Sequence, residues 1–270
     1  MTTVQTLRTF LLARRPARAT IALGLLLIFG FAQSGMAQTG TNPLSLSKNY
    51  FVTGDYVVAG WVEASPDGSG YAPGTISVPD TKQPRQNGVP TTVPTGADIV
   101  AAYLYWATVE GNQSSFAGKQ AYFNGYSITG TVLGNPNAPV SWSSGGCSGS
   151  ALGSKTMRTY SADVRPYLPL DTISSSSTFG ALLANGSFPV RLADSGSNGN
   201  TAPFTLGATL VIVYRVLSPA VPLNAIVIYD GAFAPGNTTQ DLSQTVAGFY
   251  DALAGPPGSE THPYRGQRSA

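Results

Sequence analysis

Charge is what this sequence has least of. Its 270 residues carry 15 Lys and Arg against 13 Asp and Glu, a tenth of the chain, where an ordinary soluble domain carries roughly a quarter. There is one Cys and one His, which excludes zinc fingers, iron–sulfur clusters and a disulfide framework. Gly and Pro are plentiful instead, with 31 and 20 residues. That argues against helical bundles and coiled coils, which draw on Ala, Glu, Lys and Leu.

The first segment reads as an address. Arg8, Arg14, Arg15 and Arg18 form a basic leader without an acid, an apolar run follows from Ala19 to Ala32, and small residues close it at Gly35-Met36-Ala37. Basic start, apolar middle and small-residue exit predict a secretory signal peptide over 1–37, cut after Ala37. The apolar run is about 14 residues, short of the roughly 20 that span a bilayer, so membrane contact is expected only where the segment stays uncut. Arg14-Arg15 raises the twin-arginine route, but Pro16 follows where a polar residue is wanted. The leader holds four of the 15 basic residues and no acid, leaving eleven basic residues against 13 acidic ones. No basic cluster remains to neutralise several phosphates, so nucleic acid is not an expected partner.

Residues 38–47 form a polar linker. Beyond them, β-prone runs alternate with Gly, Pro, Ser and Asn, which predicts an all-β chain. Asp98–Glu110 is the clearest strand, and both its faces are apolar enough for a central strand covered on two sides. On Thr205–Val216, one side carries Leu206, Ala208, Leu210, Ile212, Tyr214 and Val216, and the other carries Thr205, Thr209 and Arg215. That pattern predicts a core face and a wetter face. Further strands are expected at Asp55–Val62 and Asn224–Tyr229, with weaker ones at Lys155–Tyr160 and Ser187–Leu192. Asn124-Gly125 between two β-prone runs predicts a type I′ hairpin. Residues 240–253 fit helical spacing but are assigned to a strand because of Gly248 and a Thr-rich entry. The expected architecture is one antiparallel β-sandwich, jelly-roll-like, over 48–253, with long loops at 64–96 and 134–154 and a disordered tail at 254–270.

Three stretches, GADIVAAYLYWATVEG, MRTYSADVRPYL with a later NGSFPV, and GATLVIVYRV…PLNAIVIYDGAF, together resemble an extracellular β-sandwich domain of unknown function. Such domains occur in large secreted or surface-anchored bacterial proteins and often precede adhesin-type repeats. The resemblance spans about Gly96 to Phe249 and rests on Tyr105-Trp106, Asp163-Val164 and Tyr229-Asp230-Gly231. It implies a fold and a location at the cell surface, and carries no catalytic signature.

Chemistry is sparse. The single His262 lies in the tail, where no Ser-His-Asp arrangement can hold it. Cys147 is the lone thiol, so an internal disulfide is impossible; it is expected to be packed or idle, or to bridge two chains. A glycosidase needs two carboxylates about 5–10 Å apart. Asp98 and Glu110 close opposite ends of one strand, about 40 Å apart at 3.3 Å per residue, and nothing in the sequence brings Glu63 to Asp230. Asp194, Asn198 and Asn200 place side-chain oxygens in a Gly-rich loop that a calcium ion could use, although Gly196 and Thr205 depart from an EF-hand pattern and these residue types also form ordinary turns. Tyr71 and Trp142 in the long loops, beside Asn87, Asn135 and Asn137, are the candidates for stacking on and hydrogen bonding a sugar. The glycosylation patterns at Asn112, Asn185 and Asn237 carry meaning only in a glycosylating host. The reading is an exported, non-catalytic structural or adhesion-type module with no required cofactor. Its expected partners are glycans or other envelope proteins. A carbohydrate-binding module is the alternative, and a secreted glycoside hydrolase the remote one.

Overall fold

A computed structural model describes residues 6–14, 20–28, 44–61, 66–80, 90–110, 116–134, 156–196, 202–232 and 244–246. The described chain is all β, with thirteen strands and one short 3₁₀ turn. No helix among the described residues is long and apolar enough to cross a membrane.

The central sheet runs β4-β12-β6-β10-β9, from β4 (Gly54–Trp61), β12 (Phe204–Arg215), β6 (Asp98–Glu110), β10 (Thr156–Asp163) and β9 (Thr131–Leu133). A second sheet, here the hairpin sheet, runs β5-β11-β7-β8, from β5 (Tyr71–Val78), β11 (Gly186–Ala193), β7 (Gln120–Phe123) and β8 (Tyr126–Thr129). The third runs β2-β1-β13-β3, from β2 (Thr20–Ile28), β1 (Thr6–Arg14), β13 (Asn224–Gly231) and β3 (Leu44–Val52). All pairings are antiparallel.

Two apolar cores make this a three-layer molecule with the central sheet in the middle. Leu104, Trp106, Leu210 and Ile212 meet Ile76, Phe123, Phe188 and Leu192 of the hairpin sheet. On the opposite face Ala101, Tyr105, Val211 and Val213 meet Val52, Ile226 and Ile228 of β3 and β13. Fully burying one such large side chain stabilises the fold by about 1.5–3 kcal/mol. β6 is therefore the doubly covered strand that its sequence predicts. The wetter face expected for β12 is corrected: Thr205 and Thr209 are buried, and only Arg215 is exposed. Thr209 lies on the face whose Val211 and Val213 the β13 sheet covers, a layer that local alternation does not reveal.

Register also departs from strict alternation. Val213 faces Ala101 but Tyr214 faces Ile99, so β6 carries one extra residue there. The bulge turns Ile99 into the core shared with the hairpin sheet, together with Ala102 and Leu104, rather than onto the face of Ala101. Extra residues of this kind bend a strand and increase its twist.

The hairpin β7–β8 turns at Asn124 (φ 49°) and Gly125 (φ 84°), the two positive angles a type I′ turn requires. β5 occupies eight residues of the stretch read as a long loop, and β3 begins inside the stretch read as linker. β1 and β2 lie within 1–37, so the structure is that of the chain with this segment attached. The strand expected within 240–253 falls outside the described residues except at 244–246. There the Gln244 amide brackets the Leu44 main chain, and Val246 packs against Val227 and Tyr229.

Candidate functional site

Tyr71 opens β5, and its ring meets Tyr122 of β7 edge-on at 5.3 Å. The Arg191 guanidinium of β11 lies over both rings, at 5.1 and 5.4 Å. The same group donates to Asp67 Oδ2 at 2.9 Å and Ser69 Oγ at 2.7 Å. Ser69 donates to Asp67 from both its hydroxyl and its backbone N–H, and these bonds, with Arg191 beside them, hold the Asp67 carboxyl down at about 2. The register explains the grouping: Arg191 sits opposite Pro73 on one side and Tyr122 on the other. On this solvent-facing side of the hairpin sheet, Thr75, Ser77, Ser127 and Thr129 are exposed around the cluster. Two phenols, one guanidinium and a hydroxyl-rich surround can stack against a sugar ring and bond its hydroxyls. Sequence reasoning found Tyr71 but missed Tyr122 and Arg191, which lie far apart in the chain and meet only through strand pairing.

Asp194 is buried at the end of β11. Its Oδ1 accepts the Gly196 N–H at 2.9 Å and its Oδ2 accepts the Thr205 N–H at 2.8 Å. Both oxygens thus hold the loop closed against β12, and a cation would have to compete with them. Asn198 and Asn200 lie outside the described residues, as do Ala37, Glu63, Trp142, Asn135, Asn137, Cys147 and His262. Among the described residues no three His, Cys, Asp or Glu side chains gather as a metal-binding group.

Glu110, which the sequence places at a strand end, lies in the interior with 1% exposure. Its Oε1 accepts the Thr108 hydroxyl at 2.8 Å, the Gly118 N–H at 3.1 Å and the Tyr160 phenol. Its Oε2 accepts Arg158 Nη1 at 2.6 Å, and the Arg158 guanidinium lies over the Phe116 ring at 4.2 Å. Both charges are buried, so the pair depends on this completeness of hydrogen bonding. Burial and the Glu110 bond push the Tyr160 phenol well above its usual range.

A further polar rim lies where β3 and β13 meet β6. Tyr50 and Tyr103 share a 2.6 Å hydroxyl contact, and the rings of Tyr103 and Tyr105 meet edge-on at 6.4 Å. Lys48 lies 5.8 Å from the Tyr103 ring. Asp230 accepts hydrogen bonds from Ser47 and Tyr105; burial raises its carboxyl, against the lowering effect of Ser47, Lys48 and Tyr105. Desolvation first and the Asp230 charge second push the Tyr105 phenol far up. The sequence signal for this rim is Asp230 itself, the one charge in an otherwise apolar strand. No family model, curated protein or solved structure matches the chain.

Proposed function

We propose that this protein is an exported, non-catalytic β-sandwich that serves as a structural or adhesion-type module of the cell envelope or the extracellular space. The observation that carries the reading is the way three of its described carboxylates are engaged. Glu110 accepts four hydrogen bonds that join β6 to β10 and to Gly118. Asp194 closes a loop onto β12, and Asp171 holds its own loop through Ile173 and Thr178. Groups bonded in this way fix a scaffold, whereas a general acid or base must be able to exchange its proton with a substrate. The basic leader with its apolar run and small-residue exit supports export. Fractionation of producing cells tests this: the expected result is a product outside the cytoplasm with a mass lacking 1–37. A full-length product confined to the cytoplasm would contradict it.

A second reading, glycan binding, is favoured by the Tyr71–Arg191–Tyr122 cluster. Under it, the protein is retarded in gels containing a polysaccharide and Tyr122→Ala removes the retardation. Unchanged mobility across a broad polysaccharide panel would leave the structural reading alone.

A further inference from the structure

We propose that the face bearing Tyr71, Arg191 and Tyr122 is a site for an acidic polysaccharide, with Arg191 taking a uronate carboxylate and the surrounding hydroxyls taking the sugar. The inference rests on the glycan-binding reading above and names its ligand class. The guanidinium carries it. Both hydrogen bonds that Arg191 makes leave from one nitrogen, Nη2, to Asp67 Oδ2 at 2.9 Å and Ser69 Oγ at 2.7 Å. A guanidinium has five N–H donors; with two spent, the donors on Nη1 and Nε have no acceptor among the described residues. The side chain is 40% exposed, so a ligand can reach it.

The group is also held in place. It lies over the Tyr71 and Tyr122 rings at 5.1 and 5.4 Å, and Asp67, which grips it from the side, is itself fixed by the Ser69 N–H at 2.8 Å. An anchored guanidinium loses little freedom when a carboxylate docks on it.

The surround suits a sugar chain. Register lines up Pro73, Arg191, Tyr122 and Ser127 across all four strands of the hairpin sheet, a row about 14 Å wide at 4.8 Å per strand. Thr75, Ser77, Gln120 and Thr129 are exposed beside it. These hydroxyls and one amide lie on an open face, where an extended chain of hydroxylated rings can rest. A peptide adding as a strand would need the unpaired main chain of a sheet edge instead. Bulk charge does not attract an acidic polymer, because the chain beyond the leader carries eleven basic residues against 13 acidic ones. Retention must come from a local group.

Native gels containing polygalacturonate, its methyl ester or poly-glutamate test this with the full chain. Polygalacturonate should retard the chain, and the ester should do so about tenfold more weakly, because masking the carboxylate removes charge-assisted bonds. Poly-glutamate should not retard it. Arg191→Gln should make acid and ester equal while keeping the parent's melting midpoint. Arg215→Gln removes the same charge from an exposed pair on the central sheet and should keep the preference. Equal retardation of the parent by acid and ester overturns this proposal and leaves the glycan reading standing. An equal loss of preference in both Arg variants also overturns it, since net charge then explains the binding. Retardation by poly-glutamate as strong as by polygalacturonate overturns it in favour of an acidic peptide. No retardation by any polysaccharide overturns both this proposal and the glycan reading.

Discussion

At the scale of single residues, the buried polar groups govern how the fold responds to mutation. Glu110→Gln leaves the Arg158 guanidinium buried without its counter-charge; removing one partner of a buried pair costs about 3–5 kcal/mol. Urea unfolding should show that loss, and a change under 1 kcal/mol would mean that the pair is solvated. Thr209 makes the opposite case. Its hydroxyl is buried at 2% exposure without a hydrogen-bond partner, so Thr209→Val keeps the branched shape and removes an unsatisfied group. Stability should rise by about 1 kcal/mol, and a fall in the unfolding midpoint would show that the hydroxyl has a partner. Asp230 gives a pH signature. Its folded carboxyl is raised by burial, so its contribution is fully present below the unfolded pKa and is lost as pH rises through the folded one. Asp230→Asn should therefore be more stable than the parent at neutral pH, with the difference vanishing in acid. A variant less stable at neutral pH would contradict that sign. The sequence marks Glu110 and Asp230 as rare charges but does not say that they are buried, wholly or in part, because burial follows from how the three sheets pack.

At the scale of elements, local pattern and local turn chemistry were informative. Asn124-Gly125 announces its hairpin because few other dipeptides supply two positive φ angles. Gly125→Ala should cost about 1 kcal/mol in an equilibrium melt, since the added Cβ opposes the left-handed conformation. An unchanged melt would mean that the turn has another form. Asp98–Glu110 reads as doubly covered because both of its faces are apolar. β5 is harder to see: Pro73 and Gly74 interrupt the β signal, and the strand is held by β11 rather than by its own propensity. Gly74 itself sits where an added Cβ would lie 2.0 Å from the Trp61 ring, a close approach that only pairing of distant segments creates. The bulge at Ile99 is likewise a product of pairing with β12, and no one-strand pattern contains it. The Arg191 cluster was hidden for the same reason, since its members come from β5, β7, β11 and the turn before β5.

At the scale of the whole molecule, the central sheet carries one core on each face, and its two longest strands, β6 and β12, pair along most of their length. The outer sheets, and the surface clusters they carry, are packed against this middle layer. Amide hydrogen exchange of the intact chain, read by peptide, tests this packing most directly. Peptides from 98–110 and 204–215 should exchange last, through global unfolding, with protection that falls in step with added denaturant. The exposed turn at 66–70 should exchange first. Exchange of the 98–110 and 204–215 peptides as fast as that turn would contradict a doubly covered central sheet.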